Sequence, residues 1–278
     1  MMARIGFLTA VGRLFAWSFL LALAVVVVYP LLWMVLNGFK TNAELFGDPF
    51  ALPLQLNWHN YADAWNRGVS DYLTASVLVT VTSTIATVFI SAWAAYGLTR
   101  VRMPFGRLVS GVILGGLMLA PAVALVPLVR MFQAMGLYNT FWALLILYTA
   151  FRIPFTTFLI RAYMIDLPRE VDEAAEMDGA SRWTTFWRIT LPMCKPIIIS
   201  TIILHVLFAW NEYLFAMVLT SGTTVQTLPV GLTSLMSKHG TDYPVVFAGM
   251  VVAALPVIVL FFASQRYFIK GLSEGIGK

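Results

Sequence analysis

Apolar residues in this chain neither alternate nor keep to one helical face; they come in long unbroken runs. Six of the runs reach the roughly 20 residues a helix needs to cross about 30 Å of hydrocarbon. They cover approximately Leu14–Phe39, Leu73–Leu98, Leu108–Val129, Phe141–Ile160, Ile197–Leu219 and Val245–Phe268, and each predicts a transmembrane helix. The first run follows Arg4 and Arg13, as the core of a secretion signal would. It is too long for one, and it continues through Tyr29, Pro30 and Trp33 rather than into a small-residue cleavage site. It is expected to stay in the protein. The predicted fold class is therefore an all-α integral membrane protein, with residues 1–278 forming one transmembrane domain.

Charge orients the helices. With the N-terminus in the cytoplasm, Arg4, Arg13, Arg100, Arg102, Arg107, Arg161, Arg169, Arg182, Arg188, Lys195, Arg266, Lys270 and Lys278 fall inside. Lys40, Arg67, Arg130 and Lys238 fall outside, and Arg152 lies within a span. That imbalance is what the positive-inside rule requires, and it places both termini in the cytoplasm. Composition agrees: 60% of residues are hydrophobic and 11% charged, with a mean hydropathy of +0.82. Water-soluble chains carry roughly a quarter charged residues, so too little polar sequence is left to cover a core. The net charge of +5 is spread over many loops, so the expected partner is a lipid bilayer and no nucleic acid. The single Cys194 excludes an internal disulfide and a cysteine-cluster metal site.

One inside segment, Arg161 to Pro196, carries both signs of charge. Pro168 suits a first helical turn, and Glu170, Asp172 and Glu173 follow it near the positive end of the helix dipole. Val171, Ala174 and Ala175 predict a narrow apolar stripe, with Glu170, Glu173 and Glu176 as the charged one. Asp178-Gly179 predicts a stop, and Ser181 can cap a second helix carrying Trp183, Phe186 and Trp187. Leu191-Pro192 and Pro196 then break the chain before the fifth span. Two alanines permit close approach to a partner surface, and acids can pair with its arginines. The competing reading is an amphipathic helix lying on lipid headgroups, which an acidic stripe suits poorly.

Glu173, Ala174, Ala175, then Gly179, then Ile189, Leu191 and Pro192 resemble the EAA loop of ABC importer permeases, with every fixed position at the family's spacing. Trp210-Asn211-Glu212-Tyr213-Leu214-Phe215, Gln265-Arg266-Tyr267-Phe268 with Gly271-Leu272, Asn60-Tyr61 with Trp65, and Leu228-Pro229-Val230-Gly231-Leu232 are similar to segments of carbohydrate-uptake permeases. The likeness extends over nearly the whole chain and is nearest to the shorter permease of maltose-type importers. It implies the type I importer (MetI-like) fold with a cytoplasmic coupling helix, in a bacterial or archaeal cell membrane. The ATPase-coupling residues it implies are Glu173, Ala174, Ala175, Asp178, Gly179, Ile189, Leu191 and Pro192. The implied partners are a second, homologous permease, two copies of a cytoplasmic ABC ATPase and an extracytoplasmic substrate-binding protein. The chain itself would hold no cofactor; ATP and Mg would belong to the ATPases, and a sugar or oligosaccharide would be imported by alternating access. A polyol, glycerol phosphoester or opine cargo fits the same class, because fold does not fix cargo.

Ionisable groups inside a membrane are costly and are functional candidates. Thr201, His205, Phe208 and Glu212 fall at helical spacing, with Glu212 about 15 residues, or roughly 22 Å, into the fifth span. This face, with Asn211, either lines a sugar pathway or bonds to a neighbouring helix. Arg152 in the fourth span meets either an acid of the partner permease or an anionic substrate. Ser76, Thr80, Ser83, Thr87 and Ser91 in the second span, and Gly111 and Gly115 in the third, suggest close helix packing. Pro121 and Pro127 should kink the third span.

The Gly-rich tail ending in Lys278 has the wrong glycine spacing for a P-loop and no Ser or Thr after the lysine, so the chain is not itself an ATPase. No His-Glu-x-x-His or Gly-x-Ser-x-Gly motif points to an intramembrane enzyme. An ion-coupled transporter would account for His205, Glu212 and Arg152 but not for the acidic loop.

Overall fold

The computed structural model describes residues 2–101, 104–118, 121–220, 225–237 and 242–276. Arg102 and Lys238, and the last two residues of the glycine-rich tail, lie outside the described residues. Every regular element among the described residues is helical. Four helices are long and apolar enough to cross a membrane, and six spans result when each of two bent pairs is counted as one. The chain divides into two compact units, Met1–Val69 with Leu232–Ala254, and Ser70–Gly231 with Leu255–Lys278.

In the first unit, α1 (Met2–Asn37) runs through Pro30, and none of the most apolar window of its Gly12–Asn37 stretch is buried. Its last turn is held, Trp33 donating to the Pro49 carbonyl and Asn37 being buried, but a stretch apolar on every side and partnered on none belongs in lipid or against another chain. The chain then folds tightly on itself. Lys40 is buried, and its ammonium donates to the carbonyls of Asp48 (3.1 Å) and Pro49 (3.0 Å). Asn60 donates to the carbonyls of Gly38 and Lys40. Short α2 (Asn42–Gly47) starts with a capping box, Thr41 Oγ1 accepting the Glu44 N–H and the Glu44 carboxylate accepting that of Thr41. Those bonds hold the exposed Glu44 carboxyl below its ordinary range. α3 (His59–Ala64) follows.

The second unit is built on α4 (Ser70–Arg100), α7 (Phe141–Ile165) and α11 (Lys195–Asn211), which pack side by side. Ser76, Thr80, Ser83, Thr87 and Ser91 are all buried on α4, where small side chains let the neighbouring backbones approach. Ser76 also accepts the Leu228 N–H at 2.7 Å, at the start of α13 (Leu228–Ser237). The third expected span is two helices, α5 (Gly106–Met118) and α6 (Leu125–Ala134), at 86° to each other. Pro121 opens a 3-10 turn, while Pro127 sits in the first turn of α6, where its missing N–H costs nothing. Gly111 and Gly115 face open space; Gly116 is the glycine that lies against α7, at Pro154.

The fifth expected span, 197–219, is also interrupted. α11 ends at Asn211, Glu212 is extended (φ −70°, ψ 123°), and α12 (Leu214–Leu219) begins anew. The last helix, α14 (Tyr243–Ile276), overruns its expected 245–268 at both ends. Between α7 and α11 lie α8 (Glu170–Met177), α9 (Arg182–Thr185), a π-type turn at Phe186–Thr190 and α10 (Leu191–Met193).

Candidate functional site

The acidic loop folds as two short helices with a defined joint. Gly179 takes a left-handed conformation (φ +79°), the Gly179 N–H bonds the Glu176 carbonyl, and the Ala180 N–H bonds that of Ala175. This is a Schellman stop, and it satisfies carbonyls that would otherwise be orphaned at the end of α8. Ser181 Oγ accepts the Thr184 N–H and so caps α9.

The faces of α8 differ from the expected stripes. Ala175 is buried, whereas Ala174, Glu173 and Met177 are exposed with Glu170. Ala174 and Ala175 point about 100° apart, on opposite edges of the stripe centred on Val171, and only the Ala175 edge turns inward. Ala175 anchors the helix; Glu170, Glu173, Ala174 and Met177 form the free face. Asp178 is exposed at the joint.

An aromatic cluster fixes the second half of the loop. Phe186 is buried, its ring 4.8 Å from Trp93 and 5.1 Å from Tyr96 of α4, and Trp93 meets Trp183 at 4.8 Å. Ile189 is half-buried, Leu191 packs on the cluster that includes Cys194, Ile160 and Met164, and Pro192 is exposed. A further tie has no signature in the chain's local pattern. Arg100, the last residue of α4, brings its Nε within 2.9 Å of Asp172 Oδ2, an ion pair rather than an aligned hydrogen bond. Arg100 and Asp172 also border a polar cavity of about 580 Å³ with Arg169, Glu173, Glu176 and Arg182.

Inside the bundle, the face carrying Thr201 and His205 turns inward. Thr201 is 1% exposed and bonds to the Ile198 carbonyl; His205 is fully buried, with Nε2 3.1 Å from Ser83 Oγ on α4. Of the two readings of this face, His205 takes the second, bonding α11 to α4, while Thr201 is buried with its bond inside α11. Glu212 is off that face altogether because the helix has ended. Its carboxylate accepts the N–H groups of Phe215 (2.8 Å) and Ala216 (3.0 Å) and the hydroxyl of buried Tyr148 on α7 (2.7 Å). It caps α12 from the position before Tyr213, the N-cap residue. Asn211 is exposed, its amide donating to the Leu207 carbonyl. Phe208 is half-buried, and Arg152 lies over its ring (5.0 Å) and that of Phe155 (4.6 Å). The Arg152 Nη2 reaches the Leu204 carbonyl at 3.4 Å, its Nε has no partner, and no carboxylate among the described residues pairs with it.

The described residues thus form a helical bundle with a structured, acidic loop tied to the ends of α4 and α7 and to the entry of α11. The family described as binding-protein-dependent transport system inner membrane component matches residues 87–274. A probable ABC transporter permease, YurM of Bacillus subtilis, is 42% identical over 95% of this chain and 88% of its own length. The diacetylchitobiose uptake system permease NgcG of Streptomyces coelicolor is 34% identical over 93% and 86%. A bacterial ABC transporter involved in import of the acidic polysaccharide alginate shares the fold, with a TM-score of 0.80 at 22% identity over 90% of this chain and 94% of that one. The chain belongs to this family and is a permease component of a binding-protein-dependent ABC transport system.

Proposed function

We propose that this chain is one of two homologous permeases in an importer that carries a sugar or oligosaccharide into the cytoplasm. Two copies of a separate ATPase hold the ATP and Mg, and an extracytoplasmic binding protein delivers the cargo. Both termini lie in the cytoplasm, on the side of the acidic loop, as the distribution of Arg and Lys favours. The observation that carries the reading is the free face of α8, where Glu170, Glu173, Ala174 and Met177 stand exposed on a helix whose C-terminal end is closed by the Gly179 turn. A small side chain flanked by carboxylates suits insertion into a basic cleft, and a one-helix plug there is how ATP-driven closure would reach the membrane. Ala175, Gly179, Ile189, Leu191 and Pro192 shape the loop, and Asp178 stands at its joint. Asn211, with Phe208 and Arg152, is the part of the pathway set still placed to meet cargo. The sugar assignment rests on relatives named for diacetylchitobiose, trehalose/maltose and melibiose/raffinose/stachyose transport.

The test is purification of the tagged chain from native membranes in mild detergent, with mass spectrometry of whatever co-elutes. A second permease and a P-loop ATPase are expected, and titration of the associated binding protein with sugars should find a ligand. Recovery of the chain alone, while other membrane complexes survive the same detergent, overturns the assembly. A binding protein that binds only non-sugar solutes overturns the cargo.

A further inference from the structure

The helix α8 is held by very little apolar packing. Of its eight residues only Ala175 is buried, and an alanine removes little surface from water. Among the described residues, Asp172 makes the only side-chain polar bonds from α8 to the rest of its unit. Its Oδ2 meets Arg100 Nε, and its Oδ1 accepts the hydroxyl of Thr190 at 2.9 Å. Thr190 is 1% exposed and immediately precedes Leu191 on the way into α11. Arg100 in turn donates through Nη2 to the carbonyls of Met164 (3.1 Å) and Leu167 (3.0 Å), at the end of α7. One aspartate and one arginine thus tie α8 to the ends of α4 and α7 and to the entry of α11. The arginine side chain is 6% exposed and the aspartate 16%, so the pair is shielded from the water and salt that weaken surface ion pairs.

We propose that Arg100, Asp172 and Thr190 are the positioning residues that pass a displacement of α8 to the membrane helices. None of them touches cargo, and Asp172 points away from the free face that would meet the ATPase. The inference rests on the proposed docking of α8 in an ATPase. A helix with a single buried methyl would slide over its support when pulled; a planar guanidinium fixed to two carbonyls and facing a carboxylate resists sliding in two directions.

The test uses the whole importer in proteoliposomes, with its second permease, ATPases and binding protein, measuring cargo imported per ATP hydrolysed. D172N keeps the shape of the side chain and an acceptor for Thr190 but removes the charge. The ATPase should co-purify as with wild type, while the import-to-ATP ratio falls roughly tenfold, the effect of leaving the shielded Arg100 without its ionic partner. D172E, with the carboxylate restored one methylene further out, should recover most of the ratio. T190V, which leaves the charges in place, should give an intermediate ratio, and it decides the matter if D172N does not accumulate. A wild-type ratio in D172N or in T190V overturns the proposal. So does loss of the ATPase from D172N, which would put Asp172 on the docking surface. Failure of the wild-type chain to retain any ATPase would refute the assembly itself, before a variant is read.

Discussion

Replacing Glu212 with alanine separates two roles that this carboxylate could have. In the structure it accepts three hydrogen bonds, from the Phe215 and Ala216 amides and from Tyr148. Tyr148 is 1% exposed, and Phe215 and Ala216 are buried, so water cannot take over these bonds. Bonds to a charged acceptor are each worth about 1.5–3 kcal/mol, and loss of a helix cap costs about 0.5–2 kcal/mol. The three are not additive, because α12 can shift to re-bond some of the donors; a net loss of about 2–4 kcal/mol is expected. At roughly 2–4 °C per kcal/mol for a chain of this size, the detergent-solubilised complex should melt roughly 5–15 °C lower. E212Q retains one acceptor oxygen, and the Tyr148 hydroxyl can rotate to accept from its amide, so it should lose less than half as much. The assay is thermal unfolding by loss of monodisperse protein, alongside import in proteoliposomes. If E212A melted like wild type while import failed, the carboxylate would be a cargo contact and the capping argument would be wrong.

Two glycines separate backbone strain from crowding. At Gly179 an added Cβ meets nothing within 4 Å, but φ is +79°, so G179V should weaken ATPase retention roughly tenfold and G179N only about twofold, read from pull-down titrations. Equal retention by both variants would refute the left-handed turn. At Gly231 an added Cβ would overlap the ring of Tyr72, so G231A should destabilise by about 1–3 kcal/mol, seen as a lower melting temperature; an unchanged one would mean the contact is absent.

What could be read from the chain was whatever a short stretch of it decides. Long apolar runs place helices because the membrane requires them, and Gly179 with Ser181 marks the joint of the loop because turn and cap chemistry are local. The break after Asn211 was hidden for the opposite reason. Trp210-Asn211-Glu212-Tyr213 contains no Gly or Pro, and the donor that helps hold the break open, Tyr148, lies 64 residues earlier. Reading the helix as continuous sets Glu212 on a face it does not occupy, and the spacing leaves His205 between a pathway and a neighbouring helix, a choice that Ser83, 122 residues away, decides for the helix. Arg100 was counted only for its sign, which orients the chain but does not reveal that it reaches Asp172. The two alanines do lie on one stripe with Val171, but spacing alone does not tell which of its edges is buried; packing decides that Ala175 anchors.

The turn at Phe186–Thr190 closes with bonds from one residue to the fifth beyond it. Such a turn is what an ordinary helix becomes when one extra residue is lodged in it. The wide turn absorbs that residue, so the segments on either side keep nearly the facing an uninterrupted helix would give them. Deleting one residue inside the turn should close it into a regular helix and leave the free face of α8 aimed as before. Deleting one from the regular part of α11, which has no such slack, would rotate everything upstream by about 100°. The turn thus holds a residue of spare chain length between the loop and the membrane helix.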